Sequence, residues 1–155
     1  MEYLNRIISI LYRHSQRYFT RAIQYRQLPV EVGHIPPLMQ ILRHNGITQE
    51  GICANTAMDK GTIARSVAQL VDLGLVRREA DPEDRRVNHL YPTDCGMQLR
   101  EPLFDIINDY HNKLYKGLTD AEVQQASHLL RKILSNLTGS LPEDIPIHVQ
   151  GNGSI

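Results

Sequence analysis

The side chains of Thr62, Arg65, Ser66 and Gln69 are of the kinds that read DNA bases. Arg65 can donate two hydrogen bonds to the edge of a guanine, and Gln69 can pair bidentately with an adenine. Thr62 and Ser66 are short enough to let a helix that carries them come close to a groove. The spacing predicts that they form a polar stripe opposite the apolar stripe of Ile63, Val67, Leu70 and Val71. Polar faces also cover ordinary surface helices, so the stripe alone does not separate base reading from solvation. Arg85 and Arg86 follow in the polar turn Asp81-Pro-Glu-Asp-Arg-Arg86. A guanidinium on a protruding loop can enter the narrow, electronegative minor groove, and Asp84 is near enough in sequence to hold one through a bidentate salt bridge. An exposed ion pair at a hairpin tip is the plainer reading of the same residues.

Such residues need helices and a hairpin to carry them. Asp59 is a cap for a helix over 60–73 that Gly74 stops, and Thr48 is a cap for one over 49–58. Strand-compatible stretches at 75–80 and 87–91 flank the arginine turn. Upstream, Tyr3, Leu4, Ile7, Ile8, Leu11, Tyr12, Tyr18, Phe19, Ala22 and Ile23 predict one long amphipathic helix ending near Leu28-Pro29. That stripe is wider than one small lobe covers, which points to a second subunit. After a break at 29–37, Leu38, Met39, Ile41 and Leu42 predict a short helix that Asn45-Gly46 terminates. Downstream, a helix opening at Thr93 carries Leu99, Leu103, Ile106, Ile107, Tyr110 and Leu114, with a kink or one-turn break expected at Pro102. The capping box Thr119-Asp-Ala-Glu122 opens a last helix. The expected fold class is mainly α with a small β-hairpin wing. A winged helix-turn-helix lobe over 35–93 is joined to a helical dimerisation region made of 1–30 and 94–138, and 139–155 reads as a flexible tail.

Bulk charge gives no hint of a nucleic-acid partner, because 17 basic side chains balance 17 acidic ones. The distribution is uneven: 1–45 holds six arginines and two acids, whereas 101–144 holds seven acids and four bases. Contact between these faces within a dimer accounts for that as well as phosphate binding does. Cys53 and Cys95 do not form the spaced set of a disulfide scaffold, and no apolar run is long enough for a membrane span. A cytoplasmic protein is expected. Seven scattered histidines give no metal site, and no cofactor loop or nucleophile with its base stands out, so an enzyme is not expected. Redox sensing would fall to Cys95 before Cys53, since Cys95 opens a helix. A winged-helix module that docks proteins without specific DNA binding remains the alternative.

Residues 59–96, DKGTIARSVAQLVDLGLVRREADPEDRRVNHLYPTDCG, resemble the MarR family of transcription regulators. The recognition helix, the Leu-Gly-Leu-Val exit, the Asp-Pro-x-Asp-Arg-Arg wing and the Thr-x-x-Gly helix start occur in order, and the resemblance extends over 1–138. It implies a homodimer on a near-palindromic operator, with half-sites about one helical turn apart. It makes Thr62, Arg65, Ser66 and Gln69 groove contacts, Lys60 and Gln49 phosphate contacts, and Arg86 a wing arginine oriented by Asp84 beside Arg85. It also implies a small aromatic acid or lipophilic effector that releases DNA. Arg13 and Arg17 are the expected carboxylate partners, unless they pair with acids such as Asp105 or Asp109.

Overall fold

The computed structural model describes residues 2–139. In order they form α1 (Glu2–Tyr25), a 3-10 turn (Val32–His34), α2 (Ile35–Arg43), β1 (Ile47–Thr48), α3 (Gln49–Thr56), α4 (Lys60–Asp72), β2 (Val76–Ala80), β3 (Asn88–Pro92), α5 (Asp94–Gln98), α6 (Arg100–Leu114) and α7 (Asp120–Thr138). The expected class, mainly helical with a small hairpin, is the one observed. Apart from Gly139, the expected tail lies outside the described residues.

Side chains visible in the sequence fix the helix starts. Thr48, Asp59, Thr93 and Thr119 each accept from a backbone N–H three residues on, and Glu122 completes the capping box by accepting from the Thr119 N–H. Each such cap is worth about 1 kcal/mol. The ends differ more from expectation. α1 stops at Tyr25 because Gln27 turns left-handed at φ 52°, and α3 stops at Thr56 because Ala57 does so at φ 54°. α2 starts at Ile35, ahead of Leu38, since Pro36 and Pro37 occupy a first turn in which an N–H has no helical partner. The break expected at Pro102 falls one turn earlier, between Gln98 and Arg100. Proline cannot donate to the carbonyl four residues back, and its ring crowds that carbonyl, which belongs to Gln98.

β1 extends the expected hairpin to a three-stranded antiparallel sheet in the order β1-β3-β2, with Leu90 of β3 between Ile47 and Arg78. The core beneath it is formed by Leu38 and Ile41 of α2, Ile52 of α3, Ile63, Val67 and Leu70 of α4, and Leu103 and Ile106 of α6. α6 thereby ties the lobe to α1. At that junction Tyr18, Phe19 and Tyr110 pack ring against ring with centroids 4.9–5.7 Å apart, and Ser15 bonds the Tyr110 hydroxyl. Arg26 reaches Asp109 at 3.2 Å and Asp105 at 3.5 Å. Arg26, rather than Arg13 or Arg17, is thus the partner of those acids.

Gly96 shows why α5 starts where it does. A Cβ there would lie 2.1 Å from the Leu75 carbonyl oxygen, the same oxygen that accepts from the Thr93 N–H. Backbone cannot retreat as a flexible side chain does, so Gly96→Ala should cost about 3 kcal/mol. Thermal denaturation should register this as a fall in Tm of roughly 10 °C. An unchanged Tm would mean that α5 does not pack this closely on the start of β2.

Candidate nucleic-acid interface

Asp59 does more than cap α4. One carboxylate oxygen accepts from the Thr62 N–H at 2.9 Å, and the other accepts from the Thr62 hydroxyl at 2.6 Å. These two bonds, the hydroxyl first, hold the Asp59 carboxyl below the usual carboxylate range. With its proton committed to Asp59, the Thr62 oxygen accepts from Arg65 Nη2 at 3.4 Å. The exposed guanidinium of Arg65 is therefore aligned along the outer face of α4, with most of its donors available.

Ser66 is a correction. The expectation set it on the polar stripe, but the structure buries it with Ile63, Val67 and Leu70. Those positions follow the i, i+3, i+4, i+7 pattern of the core-facing side, and a small hydroxyl side chain lets α4 pack closely there. The outer stripe consists of Thr62, Arg65 and Gln69. Gln69 is exposed, yet its Oε1 lies 2.9 Å from His34 Nε2. His34 Nδ1 accepts from the Glu31 N–H at 3.1 Å, so the proton sits on Nε2 and His34 donates to Gln69. The Gln69 amide nitrogen remains free to face outward while its oxygen is tied to the segment before α2. The sequence pattern offered no signal for this link, because His34 and Gln69 meet only through the fold.

Lys60, in the first turn of α4, is paired with Glu50 of α3 at 3.5 Å, and both side chains are more than four-fifths exposed. Such a pair is weak and readily exchanged for a phosphate. Gln49 is half-buried at the first position of α3. In the wing, Asp81 Oδ1 accepts from the N–H groups of Glu83 and Asp84, and Asp84 Oδ1 accepts from the Arg86 N–H. Arg86 Nε approaches the same Asp84 oxygen at 3.5 Å, a single contact in place of the expected bidentate one, and the Arg86 side chain is 94% exposed. Arg85 is exposed beside it. On β2, Arg77 pairs with Glu79 and lies over the Tyr91 ring at 4.7 Å.

The two expected effector residues part company. Arg13 bonds Ser9 within α1, whereas Arg17 lines an open cavity of about 860 Å³ between α1 and α6 together with Tyr18, Arg21, Tyr110, Lys113 and Leu114. Lys113 Nζ sits 4.9 Å from the Tyr18 ring centre. Cys95 is exposed and Cys53 half-buried. Among the described residues no group of three His, Cys, Asp or Glu side chains is placed to hold a metal ion, and no helix is long and apolar enough to cross a membrane.

A capped, arginine-bearing helix followed at once by an arginine-tipped hairpin defines a winged helix-turn-helix lobe. The MarR family model matches residues 30–87. The chain is similar to the crystal structure of a MarR transcriptional regulator from Methanosarcina mazei, with 30% identity and a TM-score of 0.78, covering 90% of this chain and 99% of that one. It also resembles a variant of Escherichia coli MarR complexed with operator DNA, at 26% identity and a TM-score of 0.76 over 84% of this chain and 93% of that one. The HTH-type transcriptional repressor IacR of Pseudomonas putida is 31% identical over 101 residues, which span 64% of this chain and 60% of IacR. The chain belongs to the MarR family of transcription regulators.

Proposed function

We propose that the chain acts as a homodimer that binds a near-palindromic duplex sequence and represses transcription until an aromatic acid or lipophilic molecule releases it. The observation that carries the reading is Arg65, exposed on α4 and aligned by the Asp59–Thr62 pair, with Arg86 displayed on the adjoining wing. Thr62, Gln69, Lys60, Gln49, Arg85 and Asp84 support these two arginines as groove, phosphate and positioning contacts. Similarity to a MarR variant bound to operator DNA and to a repressor by name favours the same reading.

Surface that the lobe leaves uncovered supports the dimeric reading. Leu4, Ile7 and Leu11 of α1 and Leu129, Leu130 and Leu137 of α7 are all exposed, which is costly for a monomer. We assign 1–30 and 94–138 to that interface and 35–93 to DNA. The cavity beside Arg17 is also lined by Arg21, Lys113 and the rings of Tyr18 and Tyr110, while Asp109, the one acid among its described lining residues, is paired with Arg26, a combination that suits a flat organic anion.

Equilibrium titration of a fluorescent duplex taken from upstream of the chain's own gene tests the proposal. Binding should weaken steeply between 50 and 200 mM salt, by about 10³-fold or more if six or more phosphates are contacted. A salicylate-like acid should weaken it further at constant salt. No binding even at low salt would instead favour a module that docks proteins.

A further inference from the structure

His89 stands in the central strand, opposite Glu79 of β2 and Thr48 of β1. Its ring bridges two acceptors. Nδ1 is 2.8 Å from the carbonyl oxygen of Gly46, and Nε2 is 2.8 Å from Oδ2 of Asp81. A carbonyl and a carboxylate can only accept, so both ring nitrogens must donate, and the form that satisfies both is the imidazolium. Asp81 passes the connection on, since its other oxygen organises the wing turn through Glu83 and Asp84, and Asp84 holds the Arg86 N–H. At the other end Gly46, at φ +81°, leads directly into β1 and α3. One hydrogen-bonded path thus runs from the start of the helix-turn-helix to the wing arginine.

We propose that protonated His89 is a positioning residue that pins the wing to the loop before β1, so that the wing's contribution to duplex binding declines when His89 loses its proton. The effect on DNA rests on the reading of Arg86 as a wing contact, whereas the pin itself does not. A neutral ring keeps one N–H, which leaves a lone pair facing either the carboxylate or the carbonyl, and that contact opens.

The charged surroundings favour the closed state. Asp81 faces the ring directly, and Glu79 lies across on β2 with its carboxylate paired to Arg77, which itself covers Tyr91. On its other side the ring meets the uncharged Gly46 carbonyl in the loop before β1, a loop that also holds His44, and Thr48 is its register partner on β1, while Glu83, Asp84, Arg85 and Arg86 lie beyond Asp81 in the turn. The hydrogen bond to Asp81, and next that to Gly46, raise the His89 pKa above the ordinary imidazole value. The bond from His89, and then those from the turn amides, draw Asp81 down to about 2. A raised histidine contributes stability that is complete below its unfolded pKa and is lost as pH rises through the folded one. A depressed aspartate contributes stability present above its unfolded pKa of 3.8 and lost as pH falls toward about 2. The pin is therefore closed from mildly acid solution up to the raised His89 value and opens above it.

Heteronuclear NMR of the full chain between pH 5 and 9 tests the pin, and duplex titration at fixed ionic strength tests its consequence. The His89 ring should be doubly protonated at pH 6, with a midpoint above that of a histidine in an unstructured peptide. The amide signals of Glu83 and Asp84 should move with the same midpoint, and Asp81→Asn should lower it. Duplex affinity should fall across that midpoint by roughly fivefold, the worth of one hydrogen bond, a component absent from His89→Gln if that variant retains its fold by circular dichroism. A ring that titrates at or below the peptide value, or turn amides that ignore it, would overturn the pin. Identical pH profiles for the wild type and a folded His89→Gln would overturn its role in binding. Loss of duplex binding at every pH would count against the DNA reading alone, because the ring and amide titrations would still decide whether His89 is the pin.

Discussion

Arg65→Ala is expected to weaken binding to a specific duplex by about 1–3 kcal/mol for each half-site and to relax preference at one base pair. The side chain is exposed and hydrogen-bonds Thr62 weakly, at 3.4 Å, so the folded state loses little when it is removed. Tm should therefore move by no more than about 0.5 kcal/mol would produce. Arg86→Ala should act differently. It removes a cation from the wing tip, so it should weaken specific and random duplexes alike and lower the salt dependence by about one phosphate contact. Comparing the two variants on the same pair of duplexes separates a base contact from an electrostatic one. If both lose affinity uniformly, α4 binds backbone and does not read sequence.

Ile7→Glu combined with Leu130→Glu should convert the protein to a monomer and cost about 10²–10⁴-fold in affinity for a two-half-site duplex. That is the range lost when a second, tethered binding event is removed. Ile7 is 52% exposed and Leu130 47%, and neither belongs to the buried cluster that holds the lobe, so the lobe should keep its fold. Sedimentation velocity gives the oligomeric state, and titration against one and two half-sites gives the coupling. A variant that remains dimeric would move the interface off these faces. A monomer that binds the double site undiminished would remove the reason for a palindrome.

What the sequence made legible was local. Thr48, Asp59, Thr93 and Thr119 mark helix starts because a cap bonds a backbone group three residues away, and the proline-containing turn before Arg85 marks a hairpin for the same reason. Contacts made by tertiary approach were not legible. β1 is two residues long and exists because Leu90 passes beside Ile47, and neither residue announces it. His34 and His89 looked like scattered histidines, yet one is tied to Gln69 and the other to Asp81 and Gly46. Ser66 misled because its polarity suggested the outer face, while its spacing from Ile63 and Leu70 already put it on the inner one. Arg13 and Arg17 looked equivalent one turn apart, but only Arg17 lines the cavity beside α6.

The central claim is that α4 reads bases through Arg65. It is tested most directly by selecting bound duplexes from a random pool with the wild-type chain and, in parallel, with Arg65→Ala. The wild type should enrich a near-palindrome with half-sites about one helical turn apart. Arg65→Ala should enrich the same frame with sequence preference lost at one symmetric position in each half. Recovery of the same motif in full by both proteins, or of no motif by the wild type, would contradict the claim.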